Sequence, residues 1–178
     1  MRKQAAILFT VIFIVGSLFA QRQDKSKRPS PPGTAEFTFA DGKKVTIDYS
    51  RPHAKGRKIV GGLVPYGQVW RTGANEATSL KTDTDLNIGG TTVPAGNYTL
   101  YTLPSESGWK LIVNKQTGQW GTVYDEKQDF ARIDMQTSSL PEMVEQFTMS
   151  FSKSGDDSAT LNLDWEKTRA SVEVKEKH

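Results

Sequence analysis

Apolar residues recur at every second position in run after run of this chain, and turn residues part the runs. Phe37 and Phe39 flank Thr38; Val45, Ile47 and Tyr49 alternate with Thr46 and Asp48; Trp109, Leu111 and Val113 alternate within WKLIVN. Successive side chains of a strand point to opposite faces, so this period suits strands with one buried face and leaves little room for helix. Residues 77 to 88 and the segments NYTLYTLP, ARIDMQ, EQFTMSFS, ATLNLDWE and ASVEVK continue the series. Asp41-Gly42, Gly89-Gly90, Pro94-Ala95-Gly96 and Gly155-Asp156-Asp157 supply the turns between them. About eight to ten short strands with such turns predict an all-β fold, an antiparallel β-sandwich or jelly-roll-like single domain. Short helices are expected only at residues 123 to 128 and 141 to 146, the latter capped by Ser139.

The N-terminal segment breaks the pattern. Arg2 and Lys3 precede a run from Ala5 to Ala20 whose only other residue types are Thr10, Gly16 and Ser17. At 16 residues the run is shorter than the roughly 20 needed to span a bilayer. It is therefore expected to be a signal peptide over 1–20, cleaved after Ala20, although Leu18 is larger than the usual residue two positions earlier. The protein is then exported, to the periplasm or the exterior, and touches membrane only if the segment stays attached. Residues 21–33, QRQDKSKRPSPPG, carry no large apolar side chain and are expected to be a flexible linker. The β-sandwich domain is expected over 34–175.

Composition removes several chemistries. With no cysteine among 178 residues, disulfides, thiolate zinc sites and cysteine nucleophiles are excluded. A net charge of +3 gives no reason to expect a nucleic-acid partner. Two histidines make a transition-metal site unexpected, so neither a metal nor a cofactor is anticipated. Asp83, Asp85 and Asn87 alternate like calcium ligands, but Ile88 and Pro94 stand where such a loop needs glycine and glutamate.

The unusual segment runs from Ser50 to Thr78. Five Lys or Arg (Arg51, Lys55, Arg57, Lys58, Arg71) lie between Tyr49 and Asn75 with no acid, whereas ten acids and three basic residues lie from Asp125 to Glu166. Structured stretches without regular period frequently carry function. Arginine forks suit carboxylate, phosphate or sulfate, Trp70 offers a stacking face, and Asn75 and Glu76 add an amide and a carboxylate. Arg51, Arg57, Trp70, Arg71, Asn75 and Glu76 are thus the candidate set for a small anionic or sugar ligand. A structural account stands beside it, in which Arg71 and Glu76 form an ion pair and Trp70 belongs to the core. Glu76 and His53 are the candidate bases should the protein instead be a small hydrolase or isomerase, with Arg71 holding developing charge.

Several blocks carry a resemblance: Tyr49-Ser50-Arg51-Pro52, Lys55-Gly56-Arg57, Leu63-Val64-Pro65-Tyr66-Gly67, the long run from Val69 to Thr78, and Pro94-Ala95-Gly96 with Tyr98 and Leu100. The chain resembles the uncharacterised family catalogued as domain of unknown function 2911, over about Phe37 to Trp165. The resemblance implies a domain typical of exported proteins of Bacteroidota and related bacteria. It implies no activity, so the favoured reading is a binding or structural module, with enzymatic action left as the alternative.

Overall fold

Alternation in sequence becomes alternation in burial. In Lys44–Ser50 the side chains of Val45, Ile47 and Tyr49 are buried, while Asp48 between them is exposed. The computed structural model describes residues 24–178, so the expected leader and residues 21–23 lie outside the described residues. Nine strands form among the described residues: β1 (Pro32–Thr38), β2 (Lys44–Ser50), β3 (Thr78–Thr82), β4 (Leu86–Ile88), β5 (Thr91–Val93), β6 (Gly96–Pro104), β7 (Trp109–Asn114), β8 (Asp129–Lys153) and β9 (Ser158–Glu176). They lie in the order β1-β2-β3-β6-β7-β8-β9-β4-β5, and every neighbouring pair is antiparallel. The fold is all-β, as the pattern predicts.

Two long strands fold this sheet over. The first part of β8, from Asp129 to Met135, pairs with β7, and from Gln136 to Lys153 it pairs with β9. The β8–β9 ribbon loses its register between Ser139 and Thr148, and opposite that break Glu166 sits at a φ of 52°, a left-handed value that turns the strand. The bend is sharp enough that the two ends of β9 meet: the Glu176 N–H donates to Asp157 O at 2.9 Å. Val45, Ile47, Leu80, Leu100 and Leu111 on one layer thereby face Leu86, Ile88, Phe151, Leu161 and Val174 on the other. The gap left between them is ≈ 10 Å³, so the interior is filled by its own side chains.

A seam joins the far sides of the fold. Beyond β2 the chain runs along the middle of β8, where Ala54 N donates to Glu145 O (2.8 Å) and Phe147 N to Pro52 O (2.9 Å). Tyr49 Oη spans the same seam, accepting from Met149 N at 2.8 Å and donating to Met149 O at 3.3 Å.

Three sequence expectations change. Residues 141–146 are strand, not helix: Pro141 falls in the register break of β8, where its missing N–H leaves no ladder bond unmade. Of residues 123–128 only Glu126–Gln128 make a 3-10 turn, capped by Asp125. Residues 24–33 are not a free linker. Lys25–Lys27 form a 3-10 turn, β1 begins at Pro32, and Pro31 O accepts from Arg51 N at 2.8 Å. Polar contacts order this stretch where no apolar burial was available.

Candidate functional site

The segment from Arg51 to Ala77 is irregular but not loose. Ala54, Ile59 and Val64 plug the end of the sandwich and are essentially inaccessible to solvent. The intervening turns use left-handed backbone. Gly73, at φ 152°, passes so close to β2 that a Cβ there would lie 2.9 Å from Ser50 O.

The candidate residues do not converge on one point. Arg51 lies along β8, its Nε donating to Phe147 O (3.3 Å) and Nη2 to Thr148 Oγ1 (3.0 Å). Trp70 stacks on Trp165 at 5.6 Å and meets Phe147 edge-on at 5.0 Å and Trp109 at 6.4 Å. It is part of the aromatic core rather than a platform for a ligand. Asn75, with φ 60°, ties three segments: Nδ2 donates to Ser30 O (3.1 Å) and Ser50 Oγ (3.3 Å), and its carbonyl accepts from Gly121 N (3.0 Å).

Arg71 and Glu76 are not paired with each other. Arg71 lies against Gly121, where an added Cβ would come within 2.7 Å of its Cδ, and its Nε is shielded from solvent without a partner. Glu76 is held instead by Arg28, whose Nη1 is 2.9 Å from both carboxylate oxygens, and by Lys25 Nζ at 3.1 Å. Arg28 and Lys25 sit in the stretch expected to be a linker. Their charge was visible there, but a partner 48 residues away leaves no local trace. The Arg28 hydrogen bonds, helped by Glu76's own backbone N–H and Lys25, draw the Glu76 pKa from the usual 4.5 down to about 2. This carboxylate borders a hollow of ≈ 200 Å³ with Lys25, Arg28, Asp48, Tyr49 and Ser50.

The depressed pKa has a consequence for stability. A carboxylate whose folded pKa lies below its unfolded one stabilises fully above about pH 4.5, and the contribution is lost as the pH falls toward 2. Because the Glu76 side chain is 41% exposed, solvent screening limits this to about 1 kcal/mol. Arg28→Ala is expected to shrink the difference in urea midpoint between about pH 6 and about pH 3. An unchanged difference would mean that the pair carries no stability.

His53, Lys55 and Arg57 meet elsewhere, in a second groove of ≈ 350 Å³ with Pro29, Ser30 and Pro52. Ser30 borders both hollows, so the ordered stretch before β1 divides them. Arg57 is fixed by its own loop: Nε donates to Ala54 O (2.9 Å) and Nη2 to His53 O (2.6 Å). His53 Nδ1 is 3.3 Å from Pro29 O, which as an acceptor fixes the proton on Nδ1 and turns Nε2 free of that bond. The Lys55 backbone N–H donates to Glu145 Oε1 at 2.8 Å.

Fold and loop together define an antiparallel β-sandwich module whose irregular segment is anchored into the core and presents two charged hollows. The sequence matches the family model described as protein of unknown function DUF2911 over residues 30–174, and the chain belongs to that family. No curated protein and no solved structure gives a significant match.

Proposed function

We propose that the protein is an exported, non-catalytic binding module that takes a small anion (carboxylate, phosphate or sulfate) in the groove of His53, Lys55 and Arg57. One observation carries this reading: among the described residues the groove is lined by His53, Lys55 and Arg57, with Pro29, Ser30 and Pro52, and by no carboxylate. Arg57 is braced on two carbonyls through Nε and Nη2, so Nη1 is left for a ligand without loss of the side chain's orientation. A binding role is favoured over hydrolase or isomerase chemistry because Glu76, one of the two candidate bases, is locked in an ion pair at a pKa of about 2, and His53, the other, lies in the cationic groove. The apolar leader from Ala5 to Ala20 supports export.

Titration calorimetry with phosphate, sulfate, citrate and a uronic acid tests the site. At least one is expected to bind, more weakly as salt rises. Arg57→Ala and Lys55→Ala are each expected to weaken it roughly tenfold, about 1.4 kcal/mol, with little change in melting temperature. Affinity unchanged in both variants, or no binding by any of the four, would overturn the assignment. The export half of the reading fails if the protein recovered from the envelope fraction does not begin near Gln21.

A further inference from the structure

The two ends of β9 are brought together with more ligand chemistry than folding needs. Asp157 lies just before the strand, Glu176 closes it, and His178 follows. One ligand atom from each of these three lies within 4.8 Å of the others. His178 Nε2 and Asp157 Oδ2 are 3.4 Å apart. Ligand atoms held about 2.1 Å from a tetrahedral zinc stand roughly 3.4 Å from one another, so one edge of such a site already has its length.

A second observation points the same way. The Glu176 side chain is fully shielded from solvent. Its Oε1 is engaged twice, by Lys43 Nζ at 2.9 Å and by Thr84 Oγ1 at 2.8 Å. Its Oε2 is buried and has no hydrogen-bond partner among the described residues. A buried, charged oxygen left unpaired is costly, and structures retain such groups where something else completes them. The local charge agrees. Lys43 also contacts Asp41, so Asp41 and Glu176 share one ammonium, and Asp157 beside them adds a third carboxylate. The excess of about two negative charges is what a divalent cation neutralises.

We propose that Asp157, Glu176 and His178 form a site for a divalent transition-metal ion of the zinc class, with Glu176 Oε2 as its buried ligand. The imidazole selects against magnesium and calcium, which prefer all-oxygen sets. Asp157 and His178 are 46% and 67% exposed, so both can move the short distance needed to close on the ion. A water completes the fourth position. The ion clamps the β8–β9 turn to the end of β9, a structural role independent of the anion groove.

Untagged full-length protein, stripped with chelator, is titrated with zinc against a chromophoric competitor. One ion per chain is expected, with a dissociation constant in the micromolar range or tighter and a rise in melting temperature that excess chelator reverses. Asp157→Asn and His178→Ala, both at exposed side chains, are expected to lose at least about tenfold in affinity and most of the thermal shift. His53→Ala is expected to keep both. No zinc uptake by the wild type would overturn the proposal. Wild-type affinity in the first two variants, or its loss in His53→Ala, would place the ion elsewhere and overturn it equally.

Discussion

Phe147→Ala is expected to lower the stability of the fold by about 3–5 kcal/mol, and the melting temperature by roughly 10 °C. The ring is 1% exposed and is ringed by Tyr49 at 5.7 Å, Trp70 at 5.0 Å and Trp165 at 5.7 Å. Removing it leaves three large aromatics without their common neighbour, and rigid rings cannot collapse into the space. It also lies on the seam, beside the bond from its own N–H to Pro52 O. Urea unfolding followed by tryptophan fluorescence reads the loss directly, because Trp70 and Trp165 report on the site itself. The exposed Trp120 gives the contrast: at 52% exposure its replacement by alanine is expected to change stability by no more than about 0.5 kcal/mol. A loss below about 1 kcal/mol for Phe147→Ala would mean that the aromatic cluster is not close-packed.

Tyr49→Phe removes one oxygen and is still expected to cost about 1–3 kcal/mol. The hydroxyl serves both the N–H and the carbonyl of Met149, a residue 3% exposed. Without it two backbone groups are stranded where water cannot reach them. Tyr66→Phe, at a ring 41% exposed, is expected to be neutral in the same urea assay. Equal midpoints for Tyr49→Phe and wild type would show that the seam closes without this bond.

What the sequence discloses and what it conceals divides along the range of the interactions. Val45, Ile47 and Tyr49 announce β2 because strand alternation is local. The fusion of ARIDMQ and EQFTMSFS into one strand was hidden, since Pro141 and Glu142 between them look like a helix start. Only pairing with β9 on the other side reveals an extended chain that skips its ladder there. The candidate site fared likewise. Trp70 was legible as either ligand platform or core, and its contacts with Trp165 and Phe147 belong to the core. The partner of Glu76 was sought at Arg71, five positions away, but lies at Arg28, in a stretch whose composition argued for disorder. Lys55 joins His53 and Arg57 in one groove because the loop curls on itself. The Asp157, Glu176 and His178 cluster had no signal at all, because it depends on a bend in β9.

The seam also dictates the order in which the molecule can be assembled. The bonds that close it join residues about a hundred positions apart: Gln146 to Arg51 across 95 and Met149 to Tyr49 across 100. Contacts of such span are formed late, and folds dominated by them take milliseconds to seconds. A growing chain that has not yet reached β8 and β9 lacks Phe151, Leu161 and Val174, three of the five residues that face the inner side of β2. Closure of the fold is therefore tied to the C-terminal third; β1 and β5, each paired on one side only, remain free to fray, whereas β2 and β8 are paired on both sides. Hydrogen exchange on β2 and on the middle of β8 is accordingly expected to proceed with one common opening free energy, that of global unfolding.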